Sequence, residues 1–161
     1  MDQEVSPTEV AEGGLPTHLD LDRQLHWLLI RTVGDLTFAF EAVLGNHDLS
    51  LALYQTLHAI ASQAPEPMPT HQIALHLPGR RPDVTRLVDR LETRKLITRK
   101  RRTNDRRQIL VGLSAAGRRL FDQVNGSVDG LYREQLGRLT PKQAEQLREL
   151  LVCLNKAGAE N

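Results

Sequence analysis

Twelve lysines and arginines crowd the stretch from Arg80 to Arg107, against four acids, Asp83, Asp89, Glu92 and Asp105. The whole chain of 161 residues carries 21 Lys/Arg and 20 Asp/Glu, which leaves 9 basic and 16 acidic residues outside the stretch. A formal net charge of +1 hides this separation. A basic island on an acidic body is the footprint of a surface that meets a polyanion at one place. The alternative is a solvated charged face with no such partner. The densest part is TRKRRTNDRR, Thr98 to Arg107, with six basic residues in ten and the single acid Asp105 among them.

The elements that must position these charges can be read from periodicity and punctuation. Residues 1–17 combine Glu, Ser, Pro and Gly with few apolar anchors and read as a disordered acidic tail. From Asp20 to Leu44 the pattern is helical, with Leu25, Leu29, Thr32, Leu36, Phe40 and Val43 on one stripe. Trp27, Ile30, Gly34 and Phe38 lie on a nearly opposite face, so this helix needs cover on two sides. Gly45-Asn46 is expected to close it. Ser50 caps a helix to about Ser62, and APEPMP then breaks the chain. Thr70 is expected to cap a short helix to Leu77, followed by a Pro78-Gly79 turn. Pro82 then opens a helix to about Arg94 with Val84, Leu87, Val88 and Leu91 inward. Two short helices joined by a tight turn form a helix-turn-helix candidate.

The period then changes. LITRKRR (96–102) and QILVGL (108–113) are β-prone runs around a polar tip, Thr103 to Arg106, and predict a hairpin following the helix pair as a wing. Ser114 caps a further helix of roughly 20 residues. Thr140-Pro141-Lys142-Gln143 is a capping box with proline at its first helical position, and it opens a last helix carrying Ala144, Leu147, Leu150, Leu151 and Leu154. The expected fold is mainly α with a small β-hairpin.

In a helix-turn-helix the second helix lies in the major groove. With its apolar stripe removed, Pro82–Arg94 presents Asp83, Thr85, Arg86, Asp89, Arg90 and Thr93, with Arg80 and Arg81 just before it. Arginine offers a planar fork to guanine, and Asp83 could accept from cytosine N4. Arg99, Arg101, Arg102 and Arg106 would supply phosphate contacts, which give affinity and salt dependence. The competing reading of the helix face is a solvated surface laced by ion pairs.

The stretch VTRLVDRLETRKLITRKRRTNDRRQILVGLSAAG, Val84 to Gly117, resembles the MarR (multiple antibiotic resistance regulator) family of winged-helix transcription factors. The wing and its exit carry the strongest likeness: Asp105-x-Arg107, five residues, then Leu113-Ser114-x-x-Gly117. Thr85-Arg86-Leu87-Val88-Asp89-Arg90-Leu91-Glu92 is similar to the family's recognition helix. The helix order over residues 18–158 agrees, leaving 159–161 as a second tail. The resemblance implies a homodimer, with 18–45 and 114–158 as dimerisation helices and 50–113 as the winged helix-turn-helix. It implies binding to a pseudo-palindromic double-stranded operator, recognition helices in major grooves and wings in minor grooves. By similarity Arg107 enters the minor groove, with Asp105 as its partner, and Asn104 joins the candidate DNA-binding set at the wing tip. Pre-orienting a long side chain reduces the entropy it loses on entering a narrow groove; Asp105 also suits a turn in its own right. One position departs from the family: Lys95 stands where many members have Gly before the first wing strand. Either the helix ends differently, or the charge is wanted near the DNA backbone.

The resemblance also implies a repressor released by a small ligand, often an anionic aromatic compound. His26, Trp27, Arg31 and Phe38 on the first long helix, with Tyr54 and His58 on the next, are the candidate effector pocket; core or interface roles compete for each. Cys153, the single cysteine, rules out an internal disulfide and fits a reducing cytoplasm. It also lacks a basic neighbourhood that would make it a redox sensor. The 6 histidines form no i, i+4 pair, so neither a metal nor another cofactor is expected. No enzyme motif and no membrane span is legible. Two other classes stay open on the residues alone: an architectural nucleic-acid binder without sequence choice, and a winged helix that docks an acidic protein.

Overall fold

A computed structural model of the chain describes residues 10–11, 15–16, 19–78, 83–102 and 105–157, the side chains of 10–11, 15–16, 102, 105–107 and 156–157 excepted. The elements run β1 (Val10–Ala11), β2 (Leu15–Pro16), α1 (Leu21–Gly45), α2 (Leu51–Ser62), β3 (Met68–Pro69) and α3 (Thr70–Ile73). They continue as a 3₁₀ turn (Ala74–His76), α4 (Val84–Thr93), β4 (Ile97–Arg102), β5 (Asp105–Leu113), α5 (Ala115–Leu136) and α6 (Pro141–Ala157). The chain divides into two compact units, Met1–Ala39 and Phe40–Asn161, with the boundary inside α1. No helix among the described residues is long and apolar enough to cross a membrane.

In the first unit β1 and β2 pair antiparallel, Val10 opposite Pro16 and Ala11 opposite Leu15. The segment read as a disordered tail therefore carries a short ladder. Asp20 starts α1, its Oδ1 accepting from the Arg23 amide at 2.9 Å. Both apolar faces of α1 in this unit are open: Leu25 is 49 % and Leu29 41 % exposed on one, Ile30 63 % and Phe38 76 % on the other.

In the second unit the core is the one the periodicities point to. Leu53, Leu57 and Ile60 of α2, Val88 and Leu91 of α4, Ile97 and Val111 of the sheet, and Val124 and Val128 of α5 are all buried. Ser50 caps α2, accepting from the Leu53 amide at 3.3 Å. Thr140 and Gln143 form the expected capping box, with the Thr140 amide on Gln143 Oε1 (2.9 Å) and the Gln143 amide on Thr140 Oγ1 (3.4 Å).

Four expectations need correction. Thr70 does not cap α3: it is the first helical residue, and its hydroxyl donates to the Ile109 carbonyl across the sheet. The hairpin of β4 and β5 forms as expected but does not stand alone: Met68 and Pro69 pair with Val111 and Leu110 and make it a three-stranded antiparallel sheet in the order β3-β5-β4. The wing tip is shorter than Thr103–Arg106, since β5 begins at Asp105 and Asp105 sits opposite Arg102. The ladder then steps from that pair to Arg101 opposite Ile109, which leaves residues 106–108 as the extra residues of a bulge.

The fourth correction concerns how α1 ends, not where, since the helix stops at Gly45 as expected. The left-handed residue is Asp48 (φ 54°), three positions beyond Gly45. The Asp48 amide donates to Gly45 O and the Leu49 amide to Leu44 O, at 3.1 Å each, which is a Schellman motif with Leu44 and Leu49 as its buried apolar pair. The same motif ends α4. Lys95 has φ 57°, its amide meets Glu92 O (2.7 Å), the Leu96 amide meets Leu91 O (3.0 Å), and Leu91 and Leu96 are buried. The question posed by the missing glycine is answered: the helix ends where glycine would end it. Lysine adopts the left-handed conformation at a cost of about 1 kcal/mol.

Candidate nucleic-acid interface

The recognition-helix candidate α4 is fixed at three places, and each uses a charged residue of the island. At its start Asp83 is the N-cap, Oδ1 accepting from the Arg86 amide at 3.1 Å. This corrects one expectation: the helix opens one residue after Asp83 rather than at Pro82. One oxygen of the exposed Asp83 carboxylate serves the cap, a role favoured because an orphan amide at a helix start is within reach and the interaction sits well on the helix dipole.

In its middle, α4 is tied to the wing. Arg99 of β4 hydrogen-bonds Asp89 through Nη2, and its Nε lies 3.0 Å from Glu92 Oε2, an ion pair set off the hydrogen-bond axis. The Arg99 side chain is only 23 % exposed. Arg99 thus forms a strut between sheet and helix, and Asp89, still about half exposed, is paired with it. Beside the strut, Thr70, His71, Thr85, Val88, Arg99 and Ile109 line a cavity of about 260 Å³ between α3, α4 and the sheet.

At its end, α4 is held by Arg94, a residue the sequence reading passed over. Its guanidinium donates to the Asp48 carbonyl at 2.6 Å and to the His47 carbonyl at 3.1 Å. Nothing in the spacing signals this, because the acceptors are backbone atoms 46 and 47 residues away.

The wing exit Leu113-Ser114-x-x-Gly117 has a structural account as well. The Ser114 hydroxyl accepts from the Gly117 amide (2.9 Å) and donates to Lys95 O (2.7 Å), while its amide donates to Leu96 O (3.0 Å). One serine therefore starts α5 and closes the end of α4. A Cβ on Gly117 would overlap the Leu96 carbonyl oxygen, so the α5 backbone packs directly on that turn.

With these acids consumed inside the chain, Thr85, Arg86 and Arg90 of α4 and Arg101 of β4 remain exposed. The structure brings them onto the helix and strand that Arg99 joins. Arg80 and Arg81, and Asn104 at the tip, lie outside the described residues. Arg102, Asp105, Arg106 and Arg107 are described as backbone in β4 and β5, and the expected Asp105–Arg107 contact lies outside the described side chains.

The candidate effector residues fall in both units. In the first, Arg31 stacks over the Trp27 ring at 5.1 Å and sits 3.8 Å from Asp35, while His26 and Phe38 are exposed. In the second, Tyr54 is buried, with its ring 6.2 Å from Phe121 and 6.1 Å from the exposed His58. The Tyr54 hydroxyl donates to Asn125 Oδ1 at 3.0 Å, and Asn125 Nδ2 donates to Asp129 at 3.2 Å. Burial, with Tyr132 and Asp129 adding to it, pushes the Tyr54 phenol up to about 12. Phe121, Asn125 and Asp129 were missed because α5 reads from sequence only as an amphipathic helix. Their side of it becomes legible once α2 packs there.

The sequence model of the MarR family matches residues 47–108, the span from the α1 terminus to the bulge in β5. The homoprotocatechuate degradative operon repressor of Escherichia coli is 25 % identical over 112 residues, covering 70 % of this chain and 74 % of that protein. CouR of Rhodococcus jostii RHA1, solved bound to p-coumaroyl-CoA, is 28 % identical with a TM-score of 0.69, covering 82 % of this chain and 92 % of that one. The MarR transcription factor of Planctomyces limnophilus is 34 % identical with a TM-score of 0.64, covering 85 % of this chain and 97 % of that one. With that identity over nearly the whole of a relative, the chain belongs to the MarR family of transcriptional regulators.

Proposed function

We propose that the protein is a homodimeric, sequence-specific binder of duplex DNA that acts in the cytoplasm as a repressor and is released by a small effector. It works by binding, without catalysis. The observation that carries this is the internal use of the island's acids: Asp83 caps α4, and Asp89 and Glu92 hold Arg99. Asp89 and Glu92 stay about half exposed but neutralised by Arg99, and the exposed charges outside that cluster on α4 and β4 include Arg86, Arg90 and Arg101. Arg86 and Arg90 are suited to read guanine edges and Arg101 to meet phosphate. The bulge at 106–108 lifts that part of β5 out of the ladder, which supports Arg107 as the minor-groove residue. Arg80, Arg81, Arg102, Asn104 and Arg106 complete the proposed surface, with Asp105 steadying Arg107. Arg99, Asp83 and Asp89 act as supports beneath it.

The dimer reading is supported by α6, on which every residue from 141 to 155 is exposed, Leu150 at 65 % and Leu154 at 60 %. Such a face needs a partner, and the two-fold symmetry of a dimer matches a pseudo-palindromic operator. The repressor and effector readings are supported by two relatives, one a repressor of a degradative operon and the other solved with p-coumaroyl-CoA bound.

The test is a gel-shift series on a duplex selected from a random pool. Arg107→Ala and Arg86→Ala are expected to weaken binding by about tenfold or more each, the worth of one good groove contact. Arg148→Ala, on the far helix and paired with Glu145, is expected to leave it unchanged. Equal effects of all three variants sink the assignment, and similar affinity for random duplex points instead to an architectural binder.

A further inference from the structure

We infer that Arg94 is a positioning residue for DNA reading: it clasps the end of α1 and thereby sets the angle at which α4 presents Arg86 and Arg90. This rests on the DNA-binding reading above.

The geometry is that of a fork on two successive carbonyls. Nη1 donates to Asp48 O at 2.6 Å and Nη2 to His47 O at 3.1 Å. These oxygens lie two and three residues past Gly45, in the turn that closes α1, at the negative end of the helix dipole, so a guanidinium is favoured there. Their orientation depends on the left-handed turn at Asp48. On the other side of the clasp, Arg94 is itself the C-cap of α4, immediately before left-handed Lys95. One side chain therefore ties two Schellman turns together, and each turn is pinned to the core by its own leucine pair, Leu44 with Leu49 and Leu91 with Leu96.

Lever arithmetic gives the clasp its consequence. A helix of ten residues is about 15 Å long, so a tilt of about 10° at one end carries the other end by about 2.6 Å. That displacement exceeds the tolerance of a hydrogen bond to a base edge. Asp83 and the Arg99 strut hold the start and middle of α4, and Arg94 is the third point that fixes its tilt. Its guanidinium is spent on carbonyls and points to no phosphate role, which separates it from Arg86, Arg90 and Arg101.

The experiment compares Arg94→Gln and Arg94→Lys with the wild type. Binding is measured on the duplex that wild type selects from a random pool and on a scrambled duplex of equal length, each over a salt series, with thermal melts alongside. For Arg94→Gln, affinity for the selected duplex is expected to fall by about tenfold, the worth of a charge-assisted pair. Affinity for the scrambled duplex and the salt slope are expected to stay unchanged. Arg94→Lys should follow Arg94→Gln, because a single ammonium cannot span both carbonyls with a planar fork; its milder change keeps the comparison available if Arg94→Gln does not fold. If lysine restores binding while glutamine lowers the salt slope by about one charge, Arg94 is a phosphate contact and the inference is overturned. A lowered melting temperature with unchanged discrimination overturns it too, leaving only a stabilising role. Failure of folded wild type to bind either duplex would overturn the DNA-binding reading itself and is visible in the wild-type arm alone.

Discussion

Helices α4 and α6 are both amphipathic, yet one is completed within the chain and the other is not. On α4 the apolar stripe is buried, the start is capped by Asp83, the middle is braced by Arg99 and the end is clasped by Arg94. On α6 the start is equally well made, with a full capping box, but Leu147, Leu150, Leu151 and Leu154 face solvent. Local signals form a helix in both cases; only tertiary partners decide what its faces are for. A DNA-reading helix has to be rigid before it meets its ligand, because an ill-fixed reader loses affinity to ordering. An apolar helix face can wait for a second copy, since association supplies the missing burial.

The comparison can be broken first at Gly117. Gly117→Val places a side chain into the Leu96 carbonyl, at the joint between the end of α4 and the start of α5. The expected loss is about 4 kcal/mol or more, the range of severe steric insertion, read from urea unfolding. Tolerance of valine there would mean that the joint is not rigid. Leu150→Glu attacks the other side of the comparison. It should leave the winged lobe folded by circular dichroism but convert the dimer to monomer in analytical ultracentrifugation. Operator affinity should then fall by roughly 100-fold, because two half-sites are no longer held together. A dimer that survives this change removes α6 from the interface. The smallest effect is expected from Arg99→Met, which keeps the stem and deletes the charge. Stability should drop by about 1 kcal/mol, as for a partly exposed ion pair. Operator binding should weaken in addition, because Asp89 and Glu92 are left unneutralised beside the duplex.

Much of this architecture is legible in the sequence, and the reason is locality. Ser50, Ser114 and the Thr140–Gln143 box act on amides three residues away, so their signals survive without any knowledge of the fold. The i, i+3, i+4 stripe of α4 likewise names its own buried face. The errors occur where two local roles compete or where the partner is distant in sequence. Asp83 suits both a cap and a base edge, and capping is the role the folded helix start makes available. Arg99 reads as one more charge in a basic run, yet its partners Asp89 and Glu92 come from the preceding helix. Gly45 does end α1, but the left-handed residue of the closing turn is Asp48, placed there by the buried Leu44–Leu49 pair.

The order of helices and strands, the position of the wing and the segregation of charge follow from composition, caps and periodicity, which act within a few residues. Which charges brace the fold follows from packing, because an ion pair depends on distance in space. Asp83, Asp89, Glu92, Arg94 and Arg99 are tied to partners within the chain, while Arg86, Arg90 and Arg101 are exposed and carry no such tie among the described residues.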